Sequence, residues 1–268
     1  MIRKTIVILF LCLNLALCAS PQKKIQAARE KDPKYQYNMG LFYLNNNNLE
    51  EAVKYLNKTI SLDPRNFLAM NALGLISAMK GDFPQAVTYY QKCLQLEPSF
   101  SEARNNLGTA FQELGDLEKA RQEFQKAVDD PAYNTKELPF YNLARLAFTQ
   151  GDTEKALERV QTALKFNPRL AMTQNLKGLI MEKLDRLAEA IAAYEGAVKI
   201  VPEDVNFNFN LAAAYFKNND FGRAKEIFMK ISPRVTDQAM RVKISDYLKE
   251  IKQPAPIRYS QKPLGGLK

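Results

Sequence analysis

Apolar residues along this chain fall into pairs of helical stripes that return at a fixed interval. From about Pro33 to Asn66, Tyr37, Met39, Gly40 and Tyr43 share one face of a first helix, and Ala52, Tyr55, Leu56 and Ile60 share one face of a second. The pattern recurs every 34 residues at Gly40, Gly74, Gly108, Ala144, Gly178 and Ala212, with one interval stretched to 36. Ala52, Ala86, Ala120, Ala156, Ala190 and Ala224 follow these positions at a distance of 12 residues. Two coupled series with one period predict a solenoid of helix pairs.

Local signals agree with that layout. Asn45 to Asn48 must turn the chain between the first two helices, and Gly81-Asp82, Gly115-Asp116, Gly151-Asp152 and Asn219-Asp220 stand at the equivalent places. Gly or Asn suits a left-handed residue after a helix, and the following Asp or Asn accepts backbone N–H bonds of the next. The fifth pair departs, with Asp185-Arg186. Pro64, Pro98, Pro168 and Pro202 are expected to end the second helix of their units. Ser99 with Glu102 reads as a capping box. The small residue in the middle of each first helix lets the second approach closely, which offsets the helix cost of glycine, about 1 kcal/mol.

The Leu73-Gly74 and Leu107-Gly108 pairs, the alanine twelve residues on, the aromatic Tyr90 or Phe124 four beyond that, and the terminal proline resemble the tetratricopeptide consensus. That resemblance implies an all-α, right-handed superhelical solenoid of six helix-turn-helix repeats with a C-terminal capping helix. The repeats are expected at 33–66, 67–100, 101–136 (with the two-residue insertion), 137–170, 171–204 and 205–235. A cap over 236–252 would place Met240, Ile244, Tyr247, Leu248 and Ile251 against the last repeat. Residues 18–32 read as a linker, and 253–268, punctuated by Pro254, Pro256, Pro263, Gly265 and Gly266, as a disordered basic tail.

The first 17 residues have the form of an export signal. Arg3 and Lys4 precede an apolar run from Thr5 to Leu17, too short for the roughly 20 residues of a membrane-spanning helix. Leu15-Ala16-Leu17-Cys18 resembles a bacterial lipobox, which implies a diacylglycerol on Cys18 and, with Ala19 following, the outer membrane. Leu17 stands where Gly, Ala or Ser is usual, and an ordinary secretory signal cut after Ala19 is the alternative, giving a periplasmic protein.

Composition removes several classes of chemistry. The chain has no His and no Trp, which excludes imidazole acid-base catalysis and His-ligated metals. Of three cysteines two lie in the first 18 residues, and Cys93 falls at the small, buried position held elsewhere by Thr59, Ala127, Ala163 and Ala197, a packed thiol. Glu50-Glu51 and Glu203-Asp204 fall on capping turns or solvent faces, with no base, nucleophile or phosphate loop beside them. No enzyme, metal site or cofactor is expected. With Arg3 and Lys4 set aside, 36 basic residues face 29 acidic ones, a net +7. Seven of the basic residues lie between Val235 and Lys268, against three acidic ones. In an exported chain without a basic-aromatic RNA motif this charge fits anionic lipid or an acidic protein surface, not nucleic acid.

The lipobox-like start, the six repeats and the longer link Asp129 to Thr135, taken together, resemble the type IV pilus biogenesis lipoproteins of the PilF/PilW/Tgl group, the pilotins. The resemblance implies a lipid-anchored protein on the periplasmic face of the outer membrane that assists assembly of a secretin pore. A periplasmic scaffold for polysaccharide export or cytochrome maturation is the alternative. Either would use the groove of the first helices. Their fifth positions hold Tyr37, Asn71, Asn105, Tyr141, Asn175 and Phe209, and Leu68, Leu138 and Met172 stand at second positions. Asn amides can pair with an extended peptide backbone, and the apolar residues would add pockets or serve as core between repeats. Asn38, Asn106, Asn142 and Asn210, one position later, read as packing residues. The Lys/Asn/Lys/Arg carboxylate clamp of chaperone-binding repeats is absent, since Tyr37 and Leu41 occupy its places.

Overall fold

The computed structural model describes residues 21–252, so the signal segment, Cys18 and the tail from 253 onward lie outside the described residues. All regular elements among the described residues are helical. The first, α1 (Pro21–Glu30), lies within the segment expected as a linker. It lacks an apolar face but consists largely of good helix formers. Gln36 Nε2 closes it by donating to the carbonyls of Arg29 at 3.0 Å and Glu30 at 3.3 Å.

The chain divides into two compact units at Asn134 and Thr135, inside the stretched link. Past α1, the first unit comprises α2 (Pro33–Asn45), α3 (Leu49–Leu62), α4 (Phe67–Met79), α5 (Phe83–Leu96), α6 (Ser101–Glu113) and α7 (Leu117–Asp129). The second comprises α8 (Glu137–Thr149), α9 (Thr153–Phe166), α10 (Ala171–Lys183), α11 (Leu187–Ile200), α12 (Val205–Lys217), α13 (Phe221–Ile231), a short 3₁₀ turn (Ser232–Arg234) and α14 (Gln238–Lys252). In both units consecutive helices pack as antiparallel hairpins, and the first helices of successive hairpins lie side by side.

Each hairpin turns through one left-handed residue: Asn47, Gly81, Gly115, Gly151, Asp185 or Asn219. Asp185 takes this conformation (φ +57°) as Asn219 does (φ +60°), so the fifth turn keeps its shape despite its sequence. Arg186 offers no oxygen to cap α11 and instead holds Glu189 by two bonds of 2.6 and 2.7 Å. Asn48, Asp82, Asp116, Asp152 and Asp220 cap the other five. Helices α3, α5, α9 and α11 stop two residues before their prolines. There the pre-proline residue leaves the helical region, with ψ between 80° and 94°.

The capping box at Ser99 and Glu102 does not form. Helix α6 starts at Ser101 with Phe100 as its cap and no side-chain bond there. Ser99 Oγ donates to Glu97, and Glu102 is engaged by Asn71 of the preceding repeat. The stretched link that follows α7 is ordered by Asp130, which accepts from Ser101 Oγ at 2.6 Å and from Ala132 N at 2.9 Å.

Hairpin cores rest on one contact between a small residue and a bulky one sixteen positions on. A Cβ built on Gly74 would lie 2.6 Å from the Tyr90 ring, on Gly108 2.6 Å from Phe124, and on Gly178 2.3 Å from Tyr194. At these three the ring occupies the space a side chain would need, whereas at 212 the hairpin is built with alanine sixteen residues before Phe228, both fully buried. Where alanine stands at 144, its counterpart is the smaller Val160, and both are fully buried. At the end of the second unit, Ile244 of α14 is buried, with Met240, Tyr247, Leu248 and Ile251 packed against the same cluster.

Candidate peptide-binding face

Helices α2, α4 and α6 present the second, fifth and ninth positions of the first three repeats. Their register is held by amides. Asn106 Nδ2 of α6 donates to Asn71 Oδ1 of α4 at 3.3 Å, and Asn71 Nδ2 donates to Glu102 Oε1 at 3.1 Å. Asn71 is only 8% exposed. Both ends of its amide therefore face the next repeat. The second unit repeats this link, with Asn210 Nδ2 donating to Asn175 Oδ1 at 2.9 Å. Asn38, which sits one position after Tyr37 as Asn106 does after Asn105, is exposed, since no earlier repeat offers it a fifth-position Asn.

Apolar residues around Asn71 face solvent. Leu68 is 37% exposed, Leu75 39% and Met79 51%, a stripe at spacings of seven and four along α4. The sequence singled out Leu68 alone. Leu75 and Met79 lie on the same helical spacing, and that spacing was the signal that would have found them. Tyr37 is half-buried against the core of Leu56 and Leu73. Burial, then the Glu102 carboxylate, pushes its hydroxyl upward in pKa. Asn105 is buried.

In the second unit Met172 is 42% exposed, while Leu138, Tyr141 and Asn175 are half-buried. Phe209, expected to line a groove, is taken up by the cap. Tyr247 of α14 places its ring 6.3 Å from Phe209, 4.8 Å from Phe216 and 4.9 Å from Phe228. The last repeat has no successor to cover it, and this ring fills that role. Behind it lies a latch with no motif to announce it. Tyr215 Oη donates to Glu195 and accepts from Arg223 Nη1 at 3.0 Å, and the centre of the Tyr215 ring lies 4.1 Å from the Arg223 guanidinium carbon. Burial, reinforced by the bond to Glu195, pushes the Tyr215 hydroxyl up to about 12.

A separate cleft of about 560 Å³ opens beside α5, α6 and α7, between Gln91, Gln95, Leu107, Phe111 and Gln122. Its charges are satisfied internally, as Glu123 accepts from Arg104 at 3.4 Å and Lys126 at 2.6 Å. Cys93 is fully buried, and burial pushes its thiol up to about 12, so the reactive thiolate is suppressed. Among the described residues no group of three potential metal ligands gathers, and no helix is long and apolar enough to cross a membrane.

Known proteins give a consistent account of this architecture. Models of the tetratricopeptide repeat match residues 37–96 and 183–243, and a tetratricopeptide repeat-like domain matches 102–210. No curated protein sequence matches significantly. Among solved structures, the APC/C hetero-tetramer Cut9-Hcn1 aligns with TM-score 0.73 and 23% identity over 82% of this chain but only 43% of its own. Pseudomonas aeruginosa PilF aligns with TM-score 0.72 and 19% identity over 82% of this chain and 99% of its own. PilW, a widely conserved type IV pilus biogenesis factor, aligns with TM-score 0.71 and 15% identity over 80% and 98%. At these identities the likeness is one of fold. Since the three matched segments take in all six hairpins and each hairpin closes on its small-to-bulky contact, the chain is a tetratricopeptide-repeat protein.

Proposed function

We propose that this protein is a non-enzymatic scaffold of pilotin type, lipid-anchored through Cys18 at the periplasmic face of the outer membrane, that takes a segment of a secretin on its helix-A face. The observation that carries the binding role is the stripe of Leu68, Leu75 and Met79, which the fold leaves open beside an ordered polar pair. Tetratricopeptide folds are in general interaction scaffolds, and this face offers contact surface without a nucleophile, base or metal cluster beside it. The choice of a pilus system rests on the lipobox-like start and on the near-complete span of PilF and PilW by this chain.

Deletion of the protein tests the reading. Detergent-resistant secretin multimers should fall sharply in the deletion strain and return on complementation, whereas unchanged multimers would sink the assignment. Anchoring has its own measurement: Cys18→Ser should abolish labelling by radioactive palmitate, and persistent labelling would refute lipidation at that residue.

A further inference from the structure

The open face of the first unit carries one carboxylate among apolar neighbours, and its position is held. Glu102 stands at the second position of α6, exposed, with Oε1 fixed by Asn71 Nδ2 at 3.1 Å. Asn71 is in turn fixed by Asn106. Leu68 lies about 4.5 Å before Asn71 along α4 and Leu75 about 6 Å after it, at 1.5 Å rise per residue. The two exposed leucines therefore bracket the level of the carboxylate. At the second, fifth, ninth and twelfth positions of these three helices, Glu102 is the only acidic residue and Lys34 the only basic one.

We infer that Glu102 sets the chemistry of the ligand: this face takes a protein segment that presents a lysine or arginine side chain between two apolar residues. The inference rests on the reading that the face binds a protein segment, and not on which protein supplies it. A fixed carboxylate needs little reordering to meet a cation, and the flanking leucines remove water from the pair as apolar side chains settle on them. The same carboxylate repels an acidic segment or a C-terminal carboxylate, which sets the specificity by exclusion as well as attraction.

The experiment is selection of a random 12-residue peptide library, displayed on phage, against the purified full chain. The parent should enrich peptides with Lys or Arg flanked by apolar residues, Glu102→Gln should lose the cationic preference, and Glu102→Lys should select Asp or Glu at the same place. A synthetic copy of the best peptide, with its cation replaced by Glu, should bind the parent about tenfold more weakly and the Glu102→Lys variant more tightly, as one interfacial ion pair allows. No enrichment, enrichment without a cation, or a preference unchanged in Glu102→Lys overturns the inference. Secretin multimers that depend on the protein without any cationic preference would defeat this inference alone. A preference that swaps with charge while multimers persist would defeat the secretin assignment alone.

Discussion

Replacing Gly178 by alanine adds a single methyl group where the Tyr194 ring already lies. The new Cβ would sit 2.3 Å from Cε1, 2.5 Å from Cδ1 and 2.7 Å from Cζ of that ring. Carbon atoms in ordinary contact are about 3.5 Å apart or more, so the ring must retreat by about 1.2 Å. It has little room, being fully buried in the cluster that includes Met181 and Leu211. Overpacking of this kind costs roughly 1–3 kcal/mol, and a displacement of this size belongs at the upper end. Alanine recovers about 1 kcal/mol through helix propensity, leaving a net loss of about 2 kcal/mol. The two neighbouring hairpins supply comparisons, since alanine at 144 goes with the smaller Val160 and alanine at 212 with Phe228, all four buried. The cost at 178 is therefore that of adding a methyl to a hairpin already packed on glycine. Tyr194→Val alone opens a cavity and should cost about 3 kcal/mol. Combined with Gly178→Ala it should cost less than the two losses added, by about 2 kcal/mol of coupling. Urea unfolding followed by circular dichroism would measure the cycle, with hydrogen exchange in α10 and α11 locating the loss, because solenoids need not unfold as one unit. A Gly178→Ala protein as stable as the parent, or a double variant that is strictly additive, would refute the argument.

Three other outcomes follow from the same geometry. The Cys93 thiol, raised from an ordinary value near 9 to about 12, keeps its proton in the fold after the unfolded chain has lost its own. Stability should therefore fall as pH rises between those values, and fall less in Cys93→Ala; at pH 8 iodoacetamide should label Cys93 only in denaturant, by mass spectrometry. Tyr247→Ala removes the ring between Phe209, Phe216 and Phe228 and should cost about 3–4 kcal/mol, with exchange protection lost first in α12 to α14. Asn71→Ala breaks both bonds that tie α4 to α6 and should cost about 1–2 kcal/mol in urea titration, with protection reduced at the α4–α6 contact and preserved in α10 and α12.

Much of this architecture was legible because its signals are periodic and local. The 34-residue interval, the small residue and the bulky one sixteen positions later are separated by fixed numbers of helical turns, so spacing alone carries their contact. The left-handed turn was readable at Gly81 and Asn219, and even Asp185, which breaks the pattern, belongs to a residue type that tolerates that backbone. What escaped depends on distance in sequence or on absence of pattern. Glu102 lies three residues from Ser99 and invites a local cap, yet its partner is Asn71, 31 residues away. The Tyr215 latch joins three helices through residues 195, 215 and 223, with no repeat to reveal it. Helix α1 has no apolar stripe, so only propensity could have disclosed it.

The fate of the asparagines bears on where binding chemistry resides. Spacing placed Asn71 and Asn175 where a peptide backbone would pass, but each accepts an amide from the following repeat in the same geometry, Asn106 in one unit and Asn210 in the other. A device repeated in both units is better explained by register between helices than by recognition of a ligand. Specificity must then come from what differs around it. In the first unit the flanks are Leu68, Leu75 and a held carboxylate, all exposed. In the second, Met172 remains open on α10, whereas Phe209 and Phe216 on α12 are engaged by Tyr247. The cap that stabilises the end of the second unit thus engages apolar residues of α12, whereas Leu68, Leu75 and Met79 on α4 of the first unit stay exposed.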